Sequence, residues 1–152
     1  MIESEKGMLG TKEAKLVSEN DDDRHWMAYG PDDVWVQFDL MKLYRVDEIR
    51  IWNYKQNVGY DLSQRGMRNV RVEYVGLKNA DWHPLETLEL CKADDRNPTP
   101  VSKIIEAKGK QMRLIRITSV GDIGEANWFE LDSGQTEVGL GQVRFYGTEL
   151  PE

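Results

Sequence analysis

Trp35-Val36-Gln37-Phe38-Asp39-Leu40, followed by Val46-Asp47-Glu48-Ile49-Arg50-Ile51-Trp52-Asn53-Tyr54, is the stretch that decides the fold. Val34, Val36, Phe38 and Leu40 alternate with Trp35, Gln37 and Asp39, while Ile49 and Ile51 alternate with Glu48, Arg50 and Trp52. Side chains along a strand point to opposite faces in turn, so a period of two marks a sheet with one dry face and one wet face. Asn53 shares the inward parity of Ile49 and Ile51 and is read as a buried clamp on a loop. Further along, Val70, Val72 and Tyr74 alternate with Arg71 and Glu73. Leu88 and Leu90, Ile104–Ile105, Arg113–Val120 and finally Val143, Phe145 and Gly147 complete seven or eight short strands. Helical periodicity is nowhere sustained, and Thr11–Val17 offers one or two turns at most. The connections Lys55–Gly66, Lys92–Pro100 and Gly121–Gly139 are too unequal for a simple meander. The sequence therefore predicts an all-β, antiparallel jelly-roll β-sandwich of about eight strands, with residues 1–152 forming one domain.

Composition narrows the function. The 152 residues carry 20 Lys+Arg against 27 Asp+Glu, a net charge of −7, with a pI near 5.0 and a mean hydropathy of −0.63. Phosphate backbones and anionic membranes both select clustered base, so nucleic acid and membrane insertion are poor partners for this chain. No apolar run approaches the length of a membrane span. Cys91 is the single cysteine and can form neither an intrachain disulfide nor a cysteine-based zinc site. Met1–Gly10 carries Glu3, Glu5 and Lys6 where a signal peptide would be apolar.

Catalytic signatures are missing. There is no HExxH, GxSxG or P-loop, and Gly139-Leu140-Gly141 lacks the third glycine of a dinucleotide fingerprint. His25 and His83 stand far apart, with no ligand-spaced partner. Asp32-Asp33 and Asp94-Asp95 are adjacent acid pairs of the kind 27 acids produce by chance. An enzyme here would need two carboxylates converging from distant loops, and nothing in the sequence demands one.

The informative residues are aromatic. Of five Trp and six Tyr, Trp35, Trp52 and Trp82 fall in or beside strands and read as packing. Trp26, Tyr29, Tyr60, Trp128 and Phe129 fall in predicted loops, beside Arg24, His25, Asn57, Asp61, Arg65 and Asn127. A flat ring offers a sugar a large apolar face at little rotamer cost, and Asn, Asp or Arg can grip adjacent hydroxyls two at a time. The alternative is that these rings fold back and plug the ends of the sandwich.

The same residues resemble a known family. Trp35–Leu40 and Val46–Tyr54 look like the paired core strands of discoidin-like, or coagulation-factor type C, domains, which overlap family 32 carbohydrate-binding modules. Arg65-Gly66-Met67-Arg68-Asn69-Val70-Arg71-Val72-Glu73-Tyr74 is similar to the strand that follows in that family, and Trp82 stands where the family places a tryptophan. Val138-Gly139-Leu140-Gly141-Gln142-Val143-Arg144-Phe145-Tyr146-Gly147 is similar to its closing strand. The resemblance covers about residues 17–149.

It implies a non-catalytic module of the galactose-binding-like jelly-roll type, binding a glycan through loops at one end. Such a module is commonly attached to a glycoside hydrolase or another secreted bacterial protein. By position, the ligand contacts it implies are His25 with Trp26, Asn57, Arg65 and Trp128, with Tyr60 added by loop location only. It further implies a monomer, with a glycan or polysaccharide and the neighbouring domains of the parent protein as partners, in an extracellular, periplasmic or cell-surface setting. Many members hold a structural calcium between an N-terminal Asp-Gly turn and a glutamate of the closing strand. Here Asp21-Asp22-Asp23 has no following glycine and Gln142 replaces the glutamate, removing one charge from the donor set. No cofactor is required and no metal ligand is assigned; a structural calcium stays open, weakened by Gln142. The alternative function is a structural or protein-docking domain without a working sugar site.

Overall fold

A computed structural model describes residues 2–3, 8–10, 26–55, 62–76, 79–93 and 100–151. Among these, the strands are β1 (Ile2–Glu3), β2 (Met8–Gly10), β3 (Trp26–Tyr29), β4 (Trp35–Asn53), β5 (Asn69–Gly76), β6 (Asn79–Glu89), β7 (Lys103–Ser119) and β8 (Glu137–Glu149). A single 3₁₀ turn, Ser63–Arg65, precedes β5. Every strand pairing is antiparallel, in the order β1-β8-β4-β7-β5-β6, with β2 on β4 and β3 on β8. The expected all-β jelly roll is what the chain forms.

Two strands serve both sheets. Trp35–Asp39 of β4 pair with residues 114–118 of β7, and that part of β7 continues onto β5 and then β6. Glu48–Ile51 pair instead with residues 103–106 of β7 on one side and with β8 on the other. The bends fall where alternation breaks: Met41 has φ 71°, and Lys108 and Gly109 have φ 53° and 74°. The sequence reading divided each of these strands in two at those points. It also placed Trp26–Tyr29 in a loop, whereas these residues form a strand on β8.

The core lies between the layers, with Val36, Phe38, Ile49, Ile51, Val70, Val72, Ile105, Ile115, Ile117, Val143 and Phe145 all buried. Phe38 and Phe145 meet edge to face with ring centroids 5.3 Å apart, the arrangement that ring quadrupoles favour. On the wet face of the opposite parity, the Arg116 guanidinium lies 4.5 Å from the Trp35 ring and 4.1 Å from the Trp82 ring. Its Nε and Nη2 donate to Gln37 Oε1 at 3.2 and 2.9 Å. The packing role read for Trp35 and Trp82 thus takes the form of a cation held between two indoles.

Candidate functional site

One end of the sandwich is built from the turn at residues 30–34, the 3₁₀ turn at 63–65 and the long loop at 120–136. Backbone hydrogen bonds stitch them together: Gly30 N–H to Thr136 O, Asp33 N–H to Ser119 O, Arg68 N–H to Ala126 O and Trp128 N–H to Gln64 O, each 2.9 or 3.0 Å. Gly66 adds an isolated bridge to Gly139. Loops joined in this way hold their side chains on a common frame, which a binding surface requires.

Two buried amides fasten the frame. Asn53, 1% exposed, donates from Nδ2 to Met67 O (2.8 Å) and Cys91 O (2.9 Å), and its Oδ1 accepts from Tyr54 N–H (2.8 Å). This is the clamp expected from its parity. Asn127 is fully buried; its Oδ1 accepts from Gly124 N–H (2.9 Å) and its Nδ2 donates to Glu137 O (2.9 Å) and Gln135 O (3.2 Å). Read beside Trp128 as a planar polar group for a ligand, Asn127 instead shapes the loop.

Trp128 sits on this loop, partly exposed, with the Arg68 guanidinium 4.3 Å from its ring centroid. Arg68 is itself fixed, donating from Nη1 to Gly124 O (2.9 Å) and from Nε to Glu89 Oε2 (3.0 Å). Trp128 Nε1 is buried and has no hydrogen-bond partner among the described residues. Arg65 projects from the 3₁₀ turn towards Glu137, with Nε 3.8 Å from Oε2 and side chains 28% and 11% exposed. That separation is too long for a hydrogen bond, and Arg65 Nε too has no such partner. With its amide turned to donate, Gln135 reaches both Glu137 carboxylate oxygens at 3.2 Å. Tyr29, 70% exposed, is the strand partner of Glu137, and Leu131 is equally exposed on the long loop.

Arg65 and Trp128 stand on segments joined by the Trp128 N–H to Gln64 O hydrogen bond, and Glu137, Gln135, Arg68 and Tyr29 lie on the same frame. Glu137 is not a candidate in the sequence reading because it opens a strand, whereas candidates were sought among loops. Trp26 is corrected: paired with Leu140 across β3 and β8, it is 2% exposed and belongs to the core, so its ring cannot meet a ligand at the surface. His25, Asn57 and Tyr60 lie outside the described residues, as do Asp21-Asp22-Asp23. Gln142, at the position where the resemblance implies a calcium-closing glutamate, is 3% exposed, and its Oε1 has no hydrogen-bond donor among the described residues. Among the described residues no three His, Cys, Asp or Glu converge as metal ligands, and Asp21-Asp22-Asp23 are not among them.

A jelly roll with polar and aromatic side chains set on loops at one end defines the class of discoidin-like modules. Many solved structures share the fold. CBM32-1 from a family 31 glycoside hydrolase of Clostridium perfringens aligns with a TM-score of 0.59 and 14% identity, over 95% of this chain and 96% of that one. The C-terminal domain of a chitobiase from Bacteroides fragilis gives 0.59 and 12%, over 99% and 91%. A family 89 glycoside hydrolase from Clostridium perfringens, in complex with 2-acetamido-1,2-dideoxynojirmycin, gives 0.61 and 16%; all of this chain aligns, but it spans only 16% of that enzyme. No curated protein matches the chain in sequence. The chain belongs to the F5/8 type C domain family, whose profile matches residues 3–132.

Proposed function

We propose that the chain is a non-catalytic carbohydrate-binding module that holds a glycan at the loop end and tethers a larger secreted protein to it. The observation that carries this reading is the end-to-end likeness to CBM32-1, a module of a glycoside hydrolase, within a family to which this chain belongs. The loop end supplies suitable chemistry. Trp128 offers a ring, Arg65 a planar set of donors, and Glu137 a carboxylate that accepts from adjacent hydroxyls. His25, Asn57 and Tyr60 complete the proposed contacts, and no metal is needed by any of them. A shallow site of this kind gives Kd values of about 0.1–1 mM. The setting proposed is extracellular, periplasmic or at the cell surface, with the module acting as a monomer beside its parent's other domains.

Two observations favour the docking-domain alternative: Trp26 is in the core, and the Arg68 guanidinium lies over the Trp128 ring. A glycan array of the purified chain, with Trp128→Ala and Arg65→Ala in parallel, separates the two. A hit lost in both variants, with thermal unfolding retained, supports the sugar site. A hit that both variants keep places the ligand elsewhere, and a blank array shifts the reading to docking.

A further inference from the structure

A second concave surface lies on the flank of the sandwich, away from the loop end. It is a groove of about 620 Å³ between β6 and the first half of β7. There β6 is paired only with β5, and residues 103–106 of β7 only with β4, so the groove runs between two sheet edges among the described residues. Leu85 and Ile104 supply apolar surface, Ile104 being 41% exposed. Lys103, Lys108 and Lys110 supply ammonium groups, against the carboxylates of Glu86 and Glu106. Lys103 lies 3.7 Å from Glu86 and is partly neutralised. Lys108 and Lys110 are both exposed and form no ion pair among the described residues.

The backbone concentrates this charge. The bend in β7 puts Lys108 at φ 53° and Gly109 at φ 74°, so consecutive residues leave the regular alternation and Lys108 turns into the groove. From β4, the Arg45 side chain runs along Gly109, with atoms 3.5–3.6 Å from where a Cβ would sit. Arg45, Lys108 and Lys110 thus crowd one bend with no ion pair among the described residues, in a chain whose net charge is −7. With three lysines against two glutamates in its lining, and Arg45 beside Gly109, the groove is locally cationic on a chain of net negative charge, which favours an anion there.

We infer that this groove is a second glycan site, selective for a polysaccharide bearing carboxylate or sulfate groups. A sugar ring lies on Leu85 and Ile104 while its acidic group faces Lys108 and Lys110. The concave form suits an extended chain better than a flat bilayer. The choice of a glycan over other polyanions rests on the carbohydrate-binding reading above, but the groove shares no residue with the loop end.

The test is affinity electrophoresis and titration calorimetry of the purified chain with polygalacturonate, heparin and neutral galactan. Three proteins are compared: wild type, Lys108→Glu/Lys110→Glu and Trp128→Ala. Both lysines are exposed and form no ion pair among the described residues, so the double variant is expected to fold, with an unchanged unfolding midpoint as its check. The expected result is binding to polygalacturonate, heparin or both that falls about tenfold or more in the double variant, weakens with salt and survives Trp128→Ala. Which polyanion binds tells carboxylate from sulfate. Polyanion binding lost only in Trp128→Ala overturns the groove while leaving the loop-end reading intact. Binding to neutral galactan alone does the same. No binding to either polyanion also overturns it, and leaves the lysines as charges that keep two sheet edges from pairing with another chain.

Discussion

At position 53 the chain places an amide where the alternation from Ile49 and Ile51 would continue with an aliphatic side chain. Three hydrogen bonds from a side chain 1% exposed explain why. Replacing Asn53 with Ala strands two carbonyls and one N–H, and the expected loss is about 2–4 kcal/mol in urea unfolding. Asn53→Asp is expected to cost more, because it keeps the acceptor for Tyr54 but turns a charged oxygen towards two carbonyl oxygens. A loss below about 1 kcal/mol in Asn53→Ala would show that water takes over these groups. Gly66 is part of the same device, since a Cβ there would come within 2.5 Å of Asn53 Oδ1. The clamp was legible because parity alone sends Asn53 inward. Trp26 was not, because it follows Asp21-Asp22-Asp23-Arg24-His25 with no preceding alternation, and only its pairing with β8 turns the indole inside.

Elements that pass from one sheet to the other are where local sequence signals fail. Alternation identified Trp35–Leu40 and Glu48–Tyr54 as strands but could not join them, since Met41 at φ 71° interrupts the period while the strand continues. In β7 the interruption is Lys108-Gly109, and glycine suits φ 74°, a conformation that costs other L-residues about 1–2 kcal/mol. Gly109→Ala is therefore expected to destabilise the fold by about 1 kcal/mol, read as a lower urea midpoint with unchanged slope. An unchanged midpoint would mean the bend relaxes freely. Across the same sheet, Arg116 ties β4 to β6 through Trp35 and Trp82. Arg116→Lys keeps the charge and loses both the planar stack and the forked bond to Gln37, at an expected cost of about 1 kcal/mol. An Arg116→Lys variant as stable as wild type would reduce the stack to a surface coincidence.

On the scale of the whole molecule, scaffold and loop end are separable, because different side chains serve each. The layered core needs only apolar residues at the right period, and that is written along the strands. The loop end depends on contacts between segments far apart in sequence, such as Arg65 with Glu137 and Gly30 with Thr136, and spacing does not reveal those. Asn127 belongs to the scaffold: it is fully buried, and its amide holds Gly124, Gln135 and Glu137 in place. Arg65 is the more exposed of the two: its side chain is 28% accessible, and Glu137, its ion-pair partner among the described residues, is 3.8 Å away, a separation at which the pair adds little stability. Asn127→Ala is thus expected to lower stability by about 2–4 kcal/mol and to weaken glycan binding as the loop loosens. Arg65→Ala is expected to leave stability within about 1 kcal/mol of wild type while lowering affinity about tenfold. Urea unfolding and calorimetry on the same two preparations check both. If Arg65→Ala unfolded as readily as Asn127→Ala, the guanidinium would be part of the scaffold, and the proposed glycan contacts at the loop end would reduce to Trp128, Tyr29 and Glu137 among the described residues.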